Sequence, residues 1–451
     1  MQRKSKDSLN LFQSRLDQIL NMKHPLITLA EKIDWSVFEA EFGPYYSEGQ
    51  GRPAKSIRLL VGLHYLKHAF DESDESVVDR FLENPYWQYF CGFEYFQHNF
   101  PLDPTTLVKW RKRVGPKKLE ALFKETVDVA RREKLLKARH FERLNVDTTV
   151  QEKAIAFPTD AGLRYKMLMK LVRASCERGI VLRQTYVCLS KNALVKQGYY
   201  RRANQHKRAN KMTKKLKTYL GRVVRDIRRK ATDIDEELSD LLNKADRLLA
   251  QERHSKNKLY SIHAPEVECI AKGKAHKKYE FGCKVAVVST SRDNWIVGIK
   301  TFHGNPYDGH TLKQFMDHAK EITGVQPKYV HADKGFRGHN YKGPATVEIT
   351  GEKKGKQSRW KKLWRRRRAA IEPIISHTKH DNRMKRNYLK GINGDEINAT
   401  LSACGYNIRK LIRAFFLPEI RTAFLRLYHN FLAKSAIRKR QLTPNYAIIR
   451  I

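Results

Sequence analysis

Three acidic residues stand in three separate settings along this chain: Asp147 in RLNVDTTV, Asp333 in KYVHADKGFRG and Glu372 in RRRRAAIEPIISHTK. The first two each close a short apolar, β-like run, and the third lies inside the most basic stretch of the sequence. Carboxylates that converge in a field of Arg and Lys suit holding divalent cations against a phosphate backbone. There one cation activates an attacking water or 3′-hydroxyl and a second stabilises the leaving oxygen. Mg²⁺ keeps several waters and needs only one or two carboxylates beside phosphate oxygens, so three acids are enough. Each acid alone also has a plainer reading, because an Asp after a strand is commonly a turn residue or a helix cap.

The glutamate segment carries its own geometric test. On one continuous helix Arg368, four residues before Glu372, and Lys379, seven after, share a side with it. Both bases would then meet phosphates beside the acid. Pro373 opposes this, since a mid-helix proline costs about 3 kcal/mol and implies a kink or a helix start at that point. If the helix starts at Pro373, Glu372 becomes a cap and Arg368 leaves the face.

The elements that must position these residues follow in order. Residues 1–135 read as an all-helical domain: Pro53 opens SIRLLVGLHYLKHAF, and PLDPTTLVKWRKRVG starts at Asp103-Pro104 and stops at Gly115. The last of these helices carries Lys109, Arg111, Lys112 and Arg113, which suits a helix-turn-helix DNA reader as well as a plain bundle with a basic face. A strand is expected over 141–150, then a charged helical insertion over about 161–262, read as a spacer or a DNA clamp. KYEFGCKVAVVST and NWIVGIKTFHG read as strands, GHTLKQFMDHAKEITG as a helix, KYVHADKGF and ATVEITG as strands, and about 359–415 as helical. The pattern is α/β, a mixed sheet flanked by helices with the insertion after its first strand, and 416–451 forms a basic C-terminal helix and tail.

Composition narrows the partner. Lys and Arg number 89 against 47 Asp and Glu, a formal charge of +42, and a nucleic-acid backbone is the natural counter-charge. The run GEKKGKQSRWKKLWRRRR, with Trp360 and Trp364 among its bases, reads as a loop that tracks a backbone and stacks on unpaired bases. Six cysteines without a CxxC pair argue against a zinc finger and a disulfide framework. The N-terminus lacks the apolar run of a signal peptide. LIRAFFLPEIRTAFLRLYHNFL is broken by Arg413, Pro418, Arg421 and Arg426, so it reads as an amphipathic helix and no membrane association is expected. The expected compartment is the cytoplasm, associated with the nucleoid.

Taken together and in order, LNVDTTV, GNPYDGHTL, HADKGFRG and RRRRAAIEPIISHTKHDNRMKRNYLKG resemble the bacterial insertion-sequence transposases of the DDE type, more narrowly the branch grouped with insertion sequence five. The similarity runs from near residue 53 to about 415 and is loose over 161–262. The resemblance implies an RNase H-like catalytic domain over 136–415 and a metal-binding triad of Asp147, Asp333 and Glu372 holding two Mg²⁺ ions, for which Mn²⁺ can substitute. It implies DNA contacts from Arg368 and Lys379. Arg365 stands where the family signature has a tyrosine. Asn305, Asp308 and His310 match a further family segment near the site, although an Asn-Pro turn and helix start explain them too. Lys334 and Arg337 are the stronger candidates for phosphate contact beside Asp333, while His331 reads as a packed strand histidine. Thr159 and Asp160 fit a simple turn.

The expected activity is transposition. The N-terminal helices would bind the element's terminal inverted repeats in double-stranded DNA. Mg²⁺-dependent hydrolysis would free 3′-hydroxyls, and these would attack target DNA by in-line transesterification. Paired ends imply a homodimer or multimer on DNA. A nuclease that does not join strands, or a decayed transposase that only binds DNA, are the rivals.

Overall fold

In the computed structural model, residues 15–46, 54–252, 254–271, 278–351 and 358–441 are described, without the side chains of Lys361 and 417–441. The N-terminus, residues 352–357 of the basic run and the last ten residues of the tail lie outside the described residues.

Seven helices come first: α1 (Leu16–Ile19), α2 (Pro25–Lys32), α3 (Trp35–Phe42), α4 (Ile57–Ala69), α5 (Asp74–Glu83), α6 (Pro85–Phe90) and α7 (Pro104–Arg132). Their starts are written in the sequence as N-caps. Asp34, Ser56, Ser73, Asn84 and Asp103 each accept a backbone N–H of the first turn. Helix α7 leaves helical geometry at the expected stop, Gly115 (φ 77°), and resumes at Pro116, whose missing N–H suits a new first turn. Helix α4 differs from an amphipathic surface helix. Every residue from Leu59 to Ala69 is buried, including His64, Lys67 and His68, so it is the centre of the helical layer.

Strand β1 (Arg143–Lys153) follows, and then the insertion: α8 (Asp160–Glu177), α9 (Val187–Arg202), α10 (His206–Lys230) and α11 (Glu236–Ala250). The rest is β2 (Glu268–Ala271), β3 (Tyr279–Thr290), β4 (Ile296–Phe302), α12 (Asp308–Thr323), β5 (Tyr329–Ala332), β6 (Thr346–Ile349), α13 (Arg359–Arg367), α14 (Ile371–Asp381), β7 (Arg386–Asn387) and α15 (Gly391–Gln441). The short strands β2 and β7 have no counterpart in the sequence pattern, and the helical stretch expected over about 359–415 is interrupted after Asp381.

The strands form one mixed sheet of order β2-β3-β1-β5-β6. Strand β1 runs antiparallel to β3 and parallel to β5 and β7, which take its two ends and leave its middle uncovered on that edge. Strands β2 and β4 share the outer edge of β3. One apolar cluster reaches from Leu26 through the sheet to Leu411, joining the N-terminal helices, β1, β3, β4, α12 and α15. The insertion has its own cluster, built by Leu163, Leu171, Leu220, Ile227, Leu242 and Leu248 on α8, α10 and α11. No helix among the described residues is long and apolar enough to cross a membrane.

Candidate active site

Strand register does the first part of the positioning. The parallel ladder of β1 with β5 ends at Asn145↔His331. Two residues further on stand Asp147, inside β1, and Asp333, just past the end of β5. Side chains alternate along a strand and neighbouring strands lie about 4.8 Å apart, so the two carboxylates leave the same face side by side. The sequence places Asp147 at the end of a strand; it lies instead inside β1, paired with Val287 of β3. The strand end that matters is that of β5.

Each acid is also held locally. Thr148 N donates to Asp147 Oδ1 at 2.7 Å. Asp333 caps the 3-10 turn Lys334–Phe336, where Gly335 N donates to its Oδ1 at 2.9 Å. The plain reading of Asp333 as a cap is therefore true as well, and the same bond aims its other oxygen.

Glu372 comes from the far end of the sequence. After α13 the chain tightens into a 3-10 turn over Arg368–Ala370 and α14 begins at Ile371. Pro373 thus falls in the first turn, where no intrahelical N–H bond is lost, and Arg368 keeps its place four residues before the acid. A carboxylate in a first turn also meets the positive end of the helix dipole.

Arg368 ties the three together. Its Nη2 lies 3.1 Å from Asp147 Oδ2 and 3.9 Å from Asp333 Oδ2, and its Nη1 3.6 Å from Glu372 Oε1. The side chains open progressively to solvent, at 17% exposed for Asp147, 37% for Asp333 and 66% for Glu372. Three carboxylates against one guanidinium leave about two net negative charges when all are ionised. Asp147, Asp333 and Glu372 form an all-oxygen donor set whose residual charge is of the kind that could hold a hard divalent cation.

Residues that the sequence reading did not single out brace this cluster. Asn145 is fully buried and shares the face of Asp147; its Nδ2 donates to Arg367 O at 3.1 Å and its Oδ1 accepts from Ser291 Oγ at 2.6 Å. Arg367 donates in turn to the carbonyls of Ser291 and Arg292. The signal was available, as a polar residue between Leu144 and Val146, two before Asp147 on the same face of the strand. Arg365, at the tyrosine position, donates to Ile349 O at 3.3 Å and fastens α13 to β6.

The remaining candidates divide by exposure. Lys334 and Arg337 are exposed beside Asp333, and Lys379 lies half-buried two turns along α14. Lys109 and Arg113 are exposed and line a cleft of about 1100 Å³ with Lys55, Tyr46 and Phe100. Arg111 is a correction. It is 3% exposed and both its terminal nitrogens bind Asp74, at 2.8 and 2.7 Å, so it braces α7 against α5 and its guanidinium is turned into the protein. The basic run also differs from a loop once it is described: from Arg359 it is α13, with Trp360 exposed and Trp364 packed under Arg143 and Arg367.

Asn305 takes a left-handed turn (φ 44°) and Asp308 opens α12, held by Lys284 Nζ at 2.9 Å. The segment nonetheless reaches the site: a Cβ on Gly335 would meet Asp333 Oδ1 at 3.0 Å and Asp308 Oδ2 at 3.3 Å. His310 stacks edge-on against Tyr307. His331 is buried, 3.3 Å from Glu348, and burial lowers its pKa. Thr159 caps α8 and Asp160 accepts from Gln251, which makes them structural.

Cys283, His303 and Asp395 also bring one ligand-type atom each within 4.8 Å. There Asp395 is already paired with Lys153 at 2.7 Å, and burial pushes the Cys283 thiol up, away from the thiolate a metal needs. This cluster is a buried ion network that anchors α15 to β1.

Comparison with known proteins agrees with this architecture. Residues 14–113 match the family described as "Transposase domain (DUF772)" and residues 253–408 the "Transposase DDE domain". A Rhizobium meliloti protein, "Uncharacterized protein ORF8 in nfe locus", is 51% identical over 203 residues, which is 45% of this chain and 98% of that protein. No solved structure matches. The chain belongs to the bacterial DDE-type insertion-sequence transposases. Transposases of this family generally use divalent metal ions. Asp333 and Glu372 fall inside the second matched segment, whereas Asp147 lies between the two.

Proposed function

We propose that this chain binds the terminal inverted repeats of its own element, cuts DNA at the element's ends and joins the freed 3′-hydroxyls to target DNA. The observation that carries the reading is the convergence of Asp147, Asp333 and Glu372, from three distant segments, within 3.9 Å of the one guanidinium of Arg368. Two Mg²⁺ ions, or Mn²⁺ in their place, held by these three carboxylates would supply nucleophile activation and leaving-group stabilisation. Asp147 and Asp333 present their oxygens from rigid sheet positions, and Glu372 adds the third from the more exposed helix. Arg368, Lys379, Lys334 and Arg337 surround the acids with positive charge and would hold the scissile phosphate and its neighbours in line. Lys109 and Arg113 would contact the repeat duplex from the N-terminal helices. No covalent protein–DNA intermediate is required. Pairing two ends calls for at least two copies of the chain on DNA, in the nucleoid.

The deciding experiment incubates a labelled duplex carrying the element's end with Mg²⁺ or Mn²⁺. Wild type is compared with Asp147→Asn, Asp333→Asn and Glu372→Gln. Each variant is expected to bind the duplex about as tightly as wild type and to cut it about 10²–10³-fold more slowly, as for loss of other groups that stabilise transition-state charge. A variant that cuts at the wild-type rate removes that residue from the triad. Joining of a pre-cut 3′-hydroxyl end to a second duplex separates a transposase from a nuclease.

A further inference from the structure

The insertion carries a charge asymmetry that folding does not require. Residues 187–217, all of α9 and the first half of α10, hold ten Lys or Arg and no Asp or Glu. Nine of the ten are exposed and Lys217 is half-buried. Most acids of the same bundle sit toward its other end, and Asp160, near the first half of α10, is paired with Lys258. At that other end Arg228 pairs with Asp246, Arg229 and Lys230 with Asp226, and Arg178 with Asp235 and Glu237. None of the ten bases forms an ion pair with a described carboxylate. A face that only needed solvation would mix the two signs. Concentrating one sign costs self-repulsion that a polyanion relieves.

The bases also have the layout of a track. On α10, Lys207, Lys211, Lys214, Arg222 and Arg225 recur on one side, with Thr218 between them, while Leu216, Leu220, Val224 and Ile227 point into the bundle. At 1.5 Å per residue this face runs for about 27 Å, comparable with roughly eight phosphate steps of 3.4 Å along one DNA strand. At its inner end Arg183, Arg222, Arg225 and Arg229 surround a cleft of about 690 Å³ with Tyr186 and Asp226, the last paired with Arg229. At its outer end Tyr199 is 69% exposed beside Arg202, and the Arg208 guanidinium lies over Tyr200.

We infer that the α9–α10 hairpin is an arm that grips the phosphate backbone of duplex DNA, apart from the acid cluster and from the N-terminal helices. The inference rests on the reading of the chain as a DNA-cutting transposase and adds a second, sequence-independent contact to it. The arm holds DNA through charge, so its contribution appears as salt dependence and is the same on any sequence.

The test uses the full chain and a random-sequence duplex of about 40 base pairs, with affinity measured by fluorescence anisotropy across a salt series. In the variant, Lys207, Lys211, Lys214 and Lys215 are all changed to Gln; the matching Lys→Arg variant is the control. The Gln variant is expected to melt like wild type and to lower the slope of log K against log[salt] by about 2 to 4, near 0.9 per lost contact. The Arg variant restores the slope. A Gln variant with the wild-type slope overturns the arm and leaves the transposase reading standing. Wild type without affinity for any duplex overturns both. Tighter binding of a structured RNA of equal length than of the duplex overturns the choice of DNA.

Discussion

At the scale of single residues, the site depends on what is absent at Gly335 as much as on the acids. A Cβ there would sit 3.0 Å from Asp333 Oδ1 and 3.3 Å from Asp308 Oδ2, closer than side chains normally approach. Both carboxylates would have to give way by a few tenths of an ångström. Productive metal and phosphate geometry tolerates little of that. Gly335→Ala is therefore expected to slow end cleavage by about tenfold or more while the melting temperature stays near that of wild type. Equal cleavage rates would mean that Asp333 has slack. Arg368 has the opposite character, since its guanidinium is the positive centre around which three otherwise repelling carboxylates are stable.

Between elements, two sets of buried polar contacts decide geometry. Asn145 fixes the junction of α13 and α14 to β1 through Arg367 O and Ser291 Oγ. Asn145→Ala leaves both partners short of a bond inside the protein. It is expected to cost about 1–3 kcal/mol of stability, and Glu372 loses its anchor. Cleavage should fall more than duplex binding does, and unchanged cleavage would show that α14 holds itself.

The other contact set lies among the N-terminal helices. His64 Nδ1 faces Leu60 O at 2.6 Å and its Nε2 faces Arg111 Nη1 at 3.1 Å, so the ring is neutral, donating to the carbonyl and accepting from the guanidinium. Burial, and then the Arg111 charge, lower its pKa to about 3. The unfolded chain takes up that proton near pH 6.5 and the folded chain does not until about pH 3. This group's share of stability is thus complete above pH 6.5 and declines as pH falls, by about 1.4 kcal/mol per pH unit. Melting temperatures measured between pH 7.5 and 5 should drop, and His64→Gln should flatten that drop even if it lowers the whole curve.

Across the whole molecule, α15 is the member that joins the helical layer to the sheet. Asn407 donates to Thr126 Oγ1 of α7 and to Ile296 O of β4, and accepts from Ile296 N. Gly405 lets α15 approach α4 so closely that a Cβ would lie 2.4 Å from His68 O. Gly405→Val is expected to cost about 1–3 kcal/mol or more by overpacking. Melting temperature, binding and cleavage should all decline together, unlike the selective loss at Gly335. A variant that melts like wild type would show that the two helices can separate without harm.

Much of the fold was legible because local chemistry writes it. Capping residues, the Gly115 break, β-branched runs and apolar spacing act over a few residues, and they placed α4, the first half of α7, α12 and the longer strands. The three acids were legible as types in motif settings. The sequence could not rank Asp147 against any other Asp in a strand, nor keep Arg111 out of the DNA contacts, because both depend on partners far away in the chain. Only the tertiary structure set the β1–β5 register that puts Asp147 beside Asp333. It also started α14 at Ile371, so that Pro373 does no harm, and buried Arg111 on Asp74. Residue types and short-range spacing belong to the sequence; which charges meet is decided by long-range packing, since a Coulomb partner a few ångströms away can be hundreds of residues distant along the chain.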